Sequence, residues 1–400
     1  MPYIQLAALL AALATVGPFS IDTYLPALHA IGEELNAPPI EVQQTLTAYM
    51  LPMGAMVLWH GAFSDAWGRK PVIVVSMLLF ALASLVCVFA GSIETLLVGR
   101  ALQGISAGAG MVVGRAVVRD IMEGPRAQRL MSHVSMAFAL GPAIAPILGG
   151  WIHTAFGWRA VFVFLALLGL ALAALSAWRL AESHPVEARH PLHLRPLARR
   201  YRAVFASPGF LLLSIAVSLN FNGFFIYVLS APVFLMRHLG LGETEFGWMF
   251  IPGVIGMMAG SGLSARLAGR LSQARTIRLG FALMLGAAGL TLAVSSLPPA
   301  GLPQSVLPIM AYNFGMAIAM PSLTLLALDH FPTHRGLASS CQSFVQMVIS
   351  SVTAGIVAPA LWGSVGSLAF GMTAMLLLGL TCFTAWWWFF HRRRHEAGPA

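Results

Sequence analysis

The chain has 400 residues, of which 58% are hydrophobic and 9% are charged, and its formal net charge at pH 7 is +9. Soluble globular proteins carry about 25% charged residues, so this composition excludes an ordinary soluble domain. A surface that faces lipid needs no such cover of charge. The composition therefore indicates an integral membrane protein.

Apolar runs recur along almost the whole chain, each close to the roughly 20 residues that an α-helix needs to cross a bilayer. They predict an all-α membrane protein with twelve transmembrane helices. The predicted spans are residues 4–29, 42–62, 71–90, 95–117, 130–152, 159–179, 208–235, 245–265, 277–297, 305–327, 336–360 and 367–390. We do not expect the first span to be a cleaved signal peptide, because no charged segment precedes it.

The first span contains Asp22, the only carboxylate well inside a predicted span, in the sequence SIDTYLPAL. Burial disfavours the charged form of a carboxylate, so Asp22 is a candidate site of proton exchange. Arg100 in the fourth span lies at a similar predicted depth, which makes an ion pair with Asp22 possible. Tyr24 is a candidate cavity residue. Alternatively, Asp22 caps a kink before Pro26 and stays ionised.

The segment between spans 2 and 3 reads GAFSDAWGRKP. Its notable residues are Gly61, Asp65, Gly68, Arg69 and Lys70. This pattern resembles the loop signature of the major facilitator transporters. The resemblance implies that Asp65 and Arg69 help to latch the two halves of the protein in the outward-facing state. A generic basic turn would explain the arginine and the lysine, but not the aspartate together with both glycines.

The fourth span contains an arginine, in the run VGRALQGISAGAG. A charge at this depth is costly and is by default a functional hypothesis, although Arg100 could also snorkel outward. The following Gln103-Gly104 pair resembles the helix 4 signature of the same family. At the end of the span, VGRAVVRD suggests that Arg115 lines an inner cavity and that Asp120 joins the latch. A positively charged helix end is the alternative.

The fifth span contains ALGPAIAPILGGW, with Gly141-Pro142, Pro146 and Gly149-Gly150. Small residues let helices approach closely, and prolines can bend them. The run resembles the antiporter signature of the facilitators, which implies export in exchange for protons rather than symport. A helix built only for packing is the alternative.

The chain divides into six spans and six, predicting bundles at residues 1–180 and 208–400 joined by a flexible basic cytoplasmic linker at 181–207. The halves repeat one another. Gly61 and Gly68-Arg69 recur 201 residues later as Gly262 and Gly269-Arg270, with Arg266 in the place of Asp65. Asp120 recurs 209 residues later as Asp329. Parallel six-helix repeats are the architecture of major facilitator transporters, with the substrate between them.

The second half has several polar residues inside its spans. They are Asn220, Asn222, Tyr227, Asn313, Gln342 and Gln346. Each could contact a substrate, and each could equally join one helix to another.

Taken together, the Asp-Thr-Tyr-Leu-Pro-Ala-Leu run, the Arg-Ala-Val-Val-Arg-Asp run and the fifth-span motif resemble the Bcr/CflA drug-resistance transporters, which are drug:proton antiporters. The resemblance implies proton-driven efflux of small organic compounds, of the bicyclomycin or chloramphenicol type, across the bacterial inner membrane by alternating access. An exporter of an endogenous metabolite or amino acid would use the same machinery. A sensor or enzyme on this scaffold would need a soluble domain or a catalytic cluster, and the sequence contains neither.

We expect no enzymatic activity and no cofactor, because there is no GK[ST] phosphate loop and the proton gradient would supply the energy. Cys87, Cys341 and Cys382 lie in apolar spans without metal-ligand spacing, so no metal site is predicted. The expected partners are a small-molecule substrate, protons and lipid. Nucleic acid is not expected, because the basic residues are scattered over short loops. We expect a monomer.

Basic residues predict the orientation, because Lys and Arg are enriched in cytoplasmic loops. With the amino terminus inside, inner segments hold 19 of the 23 basic residues and outer segments hold Arg159 and Arg237. We therefore expect residues 181–207 and 391–400 to face the cytoplasm.

Single cysteines at Ser183 and Glu41, in a chain without the native cysteines, test this orientation. On intact cells, an impermeant thiol reagent should label the cysteine at position 41 and not the one at position 183. The reverse pattern would contradict the predicted topology.

Overall fold

The computed structural model describes residues 3–122, 124–189, 192, 194–296 and 301–391. This part of the chain is helical throughout and holds no β-strand, only an isolated bridge between Ala268 and Leu271. The twelve predicted transmembrane helices are all present, which confirms the fold class.

The first six helices are numbered α1 to α6. Their bounds are α1 Tyr3–Asp22, continued by Leu25–Ala27 and Leu28–Glu34; α2 Pro39–Trp67; α3 Arg69–Val88; α4 Ile93–Ala107 and Ala109–Ile121; α5 Gly124–Phe156; and α6 Trp158–Arg179. The last six are α7 Pro208–Leu229, followed by Pro232–His238; α8 Gly247–Leu267; α9 Gln273–Ser295; α10 Leu307–Leu328; α11 Arg335–Val352, continued by Thr353–Val357 and Ala358–Ala360; and α12 Val365–Trp386, continued by Trp387–His391.

Among the described residues, 11 segments are long and apolar enough to cross a bilayer. The remaining long helix is α2, which has 29 residues. Its apolar character is diluted by polar side chains such as Gln43, Thr45 and His60, which are buried within the protein. Part of the surface of this helix therefore makes polar contacts inside the bundle and does not face lipid.

The chain forms two compact units. The first comprises Met1–His193 with Gly242–Gly247, and the second comprises Leu194–Leu241 with Trp248–Ala400. The boundary near residue 193 falls inside the segment that the sequence predicts to be a flexible linker. That segment instead contains a helical turn at Val186–Ala188 and a helix at Leu194–Phe205. Leucine, alanine and arginine, which dominate this helix, are strong helix formers.

The two units repeat the same helix packing. In the first unit α1 packs on α5, and α3 packs on α4 and α6. In the second unit the equivalent pairs are α7 with α11, and α9 with α10 and α12. Gly68 and Gly269, which the sequence repeat aligns, have φ angles of +101° and +78°. Both turns therefore use a backbone conformation that side chains other than glycine rarely adopt.

Helix α1 is interrupted after Asp22, and a 3₁₀ turn follows at Leu25–Ala27. Pro26 causes the interruption, because proline has no N–H to donate to the carbonyl of the residue four positions earlier. That residue is Asp22. Helix α4 is broken as well, at Gly108, between its two parts. The two helices that carry Asp22 and Arg100 are thus both discontinuous within the first unit.

The α5 motif packs by its glycines. A Cβ on Gly149 would overlap the Thr23 backbone carbonyl of α1, and one on Gly150 would overlap the backbone of Glu243, in the 242–247 segment that belongs to the same unit. Pro142 and Pro146 lie within an uninterrupted helix from Gly124 to Phe156. The motif therefore provides close contact along α5 without breaking it.

This packing predicts different effects for two alanine substitutions in one motif. Gly149→Ala should lower the thermal stability of the detergent-purified protein, because the new methyl group meets backbone that cannot turn aside. Overpacking of this kind costs about 1–3 kcal/mol. Gly141→Ala is the matched control, because its nearest neighbour is the Thr15 methyl at 3.9 Å. Equal melting temperatures for the two variants would contradict close packing at Gly149.

Candidate functional site

Arg100 is fully buried in the first unit. Its Nη1 donates to Gln103 Oε1 at 2.8 Å, to the Ser20 hydroxyl at 3.2 Å and to the Ser20 carbonyl at 3.3 Å. Gln103 is held in turn, because its amide donates to Ser84 Oγ at 2.7 Å. The residue that the family signature places one turn after the arginine therefore orients it. Snorkelling to the surface is not observed.

Aromatic rings surround the rest of this guanidinium. Its central carbon lies 4.3 Å from the ring centroid of Tyr49, 4.7 Å from that of Tyr24 and 6.0 Å from that of Phe162. Contacts of a cation with aromatic faces compensate part of the lost hydration. Arg100 Nε and Nη2 are nevertheless buried without a hydrogen-bond partner among the described residues. We call Arg100 with Ser20, Gln103, Tyr24, Tyr49 and Phe162 the arginine cage.

Asp22 borders the arginine cage without pairing to its cation. It is 4% exposed and is the only buried carboxylate in the described part of the chain. No ion pair joins Asp22 to Arg100 in these residues, although the sequence allows one. Both charges act electrostatically on the Tyr49 hydroxyl, which itself donates to the Gly17 carbonyl at 2.8 Å. Asp22 and Arg100 therefore share a neighbour while remaining unpaired.

A second charged cluster surrounds Arg69 at the start of α3. The Arg69 side chain pairs with Asp65, donates from Nε to Asp120 Oδ2 at 2.9 Å, and donates from Nη1 to Ser64 Oγ at 2.7 Å. Arg69 is 7% exposed. The structure thus brings together Asp65, Arg69 and Asp120, which the sequence assigned to the latch.

The segment after α6 completes this cluster. Glu182 accepts from the backbone N–H of Arg69 at 2.9 Å and of Lys70 at 3.3 Å, so its carboxylate caps the amino terminus of α3. A negative charge at this end of a helix is stabilising. Ser183 Oγ donates to Asp120 at 3.1 Å. All these contacts lie within the first unit. Gly61 faces the Val112 side chain at an ordinary distance.

Arg115 lies on α4 and lines a small cleft between α1, α4 and α5. The expectation from VGRAVVRD that Arg115 lines the inner cavity stays a prediction. Asp120, one turn further on, belongs to the Arg69 cluster instead. Arg115 and Asp120 therefore have separate surroundings.

Three of the six polar candidates in the second unit join helices. Asn222 Nδ2 donates to Ser350 Oγ at 3.1 Å, Asn313 Nδ2 to the Gly253 carbonyl at 3.3 Å, and Gln342 Nε2 to Thr324 Oγ1 at 3.3 Å. Gln346 is half-buried. Buried polar atoms without a hydrogen-bond partner among the described residues remain on four of the candidates. They are both side-chain atoms of the Asn220 amide, Asn222 Oδ1, Tyr227 Oη and Asn313 Oδ1.

Sequence reasoning missed several residues that hold the sites together. Tyr49 and Ser20 lie at ordinary positions in apolar helices, and no motif marks them. Glu182 lies just after a span, where it reads as a linker residue. The one available signal was the set of polar side chains around Tyr49 in α2, which indicates that this side of the helix faces the bundle interior.

The chain matches the family model described as Major Facilitator Superfamily over residues 9–354. Curated relatives extend the match to nearly the whole chain. The bicyclomycin resistance protein homolog of Haemophilus influenzae is 27% identical over 93% of each chain. Multidrug resistance protein D of Escherichia coli is 28% identical over 99% of this chain and 98% of that protein. Multidrug resistance protein MdtL of Escherichia fergusonii is 30% identical over 85% of each chain.

Solved structures share the fold at low sequence identity. A D-xylose-proton symporter superposes with a TM-score of 0.74 at 15% identity, over 95% of this chain and 96% of that one. The human organic anion transporter MFSD10 superposes with a TM-score of 0.69 at 18% identity, over 96% of this chain and all of that one. At these identities the likeness concerns the fold alone.

The Arg69 cluster predicts that its two aspartates, Asp65 and Asp120, contribute unequally to the stability of the protein. Asp120→Asn should lower the stability of the detergent-purified protein by about 1–3 kcal/mol, because a nearly buried arginine loses a charged partner. Asp65→Asn should cost less, because the Asp65 side chain is 56% exposed, compared with 21% for Asp120. Thermal unfolding of both variants is the measurement. A larger loss for Asp65→Asn would contradict the assignment of Asp120 as the main partner.

Proposed function

The chain belongs to the Major Facilitator Superfamily, and from that premise we propose that it exports small organic compounds in exchange for protons. It is a multi-pass membrane transporter of small molecules and not an enzyme. The names of its relatives support drugs as the exported compounds. The residues that carry the proposal are Asp22 and Arg100, a carboxyl group and a cation that are both buried within one helical bundle.

Asp22 is the proposed proton carrier. A carboxyl group inside the hydrocarbon with no cation bound to it is stable in its neutral, protonated form. Its ionised form there costs a large free energy of desolvation. Loss of the proton therefore demands a counter-charge. Arg100 can supply it, because its Nε and Nη2 are buried donors without a partner among the described residues.

The break in α1 makes such a rearrangement possible. Asp22 stands at the end of the first α-helical part, and a short 3₁₀ turn follows it. Backbone at such a junction can adjust without breaking a continuous hydrogen-bond ladder. Deprotonation would draw Asp22 towards Arg100, and protonation would release it. The two positions of Asp22 are our proposal for the way in which a proton biases the alternating-access equilibrium.

Tyr24, Tyr49 and Phe162 supply aromatic surface beside this pair. In the proposed cycle, an organic substrate competes with the proton by favouring the form in which Asp22 is charged and drawn to Arg100. The polar groups of the second unit, Asn220 and Tyr227 foremost, are proposed substrate contacts because their side-chain atoms are buried and unsatisfied within the described residues.

The proposed location is the bacterial inner membrane with both termini in the cytoplasm. The carboxyl-terminal residues 392–400, with three of the inner arginines, lie outside the described residues. The proposed latch role of Asp65 and Arg69 between the two halves rests on the family resemblance. Their observed contacts lie within the first unit, where they hold a cluster of charged side chains in place.

Everted vesicles test the proton coupling. Addition of substrate should release protons from vesicles with the wild-type chain that have been energised to an acidic interior, and Asp22→Asn should abolish this release by removing the exchanging proton. Glu33→Gln, at the exposed end of the same span, is the matched control and should behave as wild type. Substrates come from a resistance panel in a pump-deficient bacterium. Normal proton release by Asp22→Asn would overturn the assignment.

The same panel separates the two kinds of exporter. Resistance to several unrelated compounds supports drug efflux. Resistance to none, together with proton release on addition of an amino acid or another metabolite, would identify an exporter of an endogenous compound.

A further inference from the structure

A cleft beside Arg115 has the chemistry of an anion site. It measures about 80 Å³ and lies between three helices of the first unit. Its lining residues are Leu10 and Ala14 of α1; Gly110, Met111, Gly114, Arg115 and Val118 of α4; and Met131, Val134, Ser135 and Phe138 of α5. The single charged group in this lining is the guanidinium of Arg115, and the single hydroxyl is that of Ser135. The remaining surface is apolar or glycine.

Arg115 has no anionic partner in the part of the chain that the structure describes. No hydrogen bond or ion pair is found for its side chain there, and the charge that acts on it is the like charge of Arg119. Arg69, by contrast, has two carboxylate partners. Arg115 lies six residues before the end of α4 at Ile121, which is about 9 Å along the helix. The Arg115 side chain is exposed in this structure, so a ligand can reach its guanidinium.

We propose that this cleft binds the carboxylate of a small amphipathic organic acid, so that organic anions form part of the substrate range. This inference rests on the proposed export function and names a substrate class for it. Arg115 would bind the carboxylate in the planar two-point geometry that guanidinium groups favour. Ser135, which faces the cleft from α5, would donate a further hydrogen bond.

The apolar walls suit the organic part of such a ligand. Leu10 of α1 and Val134 and Phe138 of α5 contribute apolar surface to the cleft. The cleft is smaller than the 300–1,000 Å³ that is usual for pockets enclosing drug-sized ligands. It therefore holds the charged end of a compound, with the rest extending through the open side. A cation is disfavoured here, because Arg115 and Arg119 are both positive.

Binding of benzoate and of benzamide to the detergent-purified full chain tests the proposal. The two probes have nearly the same shape, and only benzoate carries a negative charge. Scintillation proximity with the radiolabelled compounds measures both affinities without any gradient. Wild-type protein should bind benzoate at least tenfold more tightly than benzamide. Equal affinities for the two compounds would overturn the proposal.

Variants assign the charge preference to one side chain. Arg115→Gln should abolish the preference for benzoate, and Arg119→Gln should leave it within twofold of wild type, because Arg119 lies outside the lining of the cleft. Arg115→Lys retains the charge without the planar fork and should retain a weakened preference. This variant decides the question if Arg115→Gln fails to fold. An unchanged preference in Arg115→Gln, or a loss in Arg119→Gln alone, would contradict the assignment.

The outcome is separable from that of the proposed function. Benzoate binding in detergent involves neither Asp22 nor a proton gradient. A chain that binds benzoate through Arg115 but fails to release protons in vesicles would refute proton-driven export and leave the anion site. The opposite result would refute the anion site alone.

Discussion

The burial of the Arg100 guanidinium is the constraint on which the first bundle depends. A cation within the hydrocarbon region must be compensated by the protein, because lipid chains cannot solvate a charge and bulk water is absent there. The chain supplies an amide, a serine and three aromatic rings, drawn from α1, α2, α4 and α6. Each of these helices is thereby held to a common centre. Asp22 stands beside this centre and is the only buried carboxylate among the described residues.

Close helix packing brings these groups together. Gly149 lets α5 touch the backbone directly after Asp22. The Thr23 contact and the helix interruption both lie directly after Asp22, at the end of the α-helical segment that carries the carboxylate. In the proposed mechanism, Asp22 is the charged group that moves and Arg100 is the one that stays in place.

The architecture was predictable from sequence because lipid imposes simple rules. Hydropathy identified the twelve spans, and the repeated Gly-Arg turns at Gly68 and Gly269 predicted two similar halves. The motif residues Asp65, Arg69 and Asp120 meet within the first unit, and their expected role as a latch between the halves stays a prediction. Partners across the bundle were not predictable: Tyr49 meets Arg100, and Glu182 meets the start of α3, through tertiary packing that no local pattern records. The helix at Leu194–Phe205 was not predictable for a different reason, since a run rich in arginine and interrupted by proline is also typical of a linker.

The electrostatic relation between Asp22 and Arg100 is the centre of the proposed mechanism, and infrared spectroscopy tests it directly. Difference spectra of the purified protein between about pH 6 and about pH 9, a range above that in which exposed carboxyl groups titrate, should show the carbonyl stretch of a carboxyl group that is still protonated at the lower pH. The account predicts that this band is absent in Asp22→Asn and that its titration shifts to higher pH in Arg100→Gln, where the charge that favours the carboxylate is gone. An unchanged band in Asp22→Asn would contradict the account.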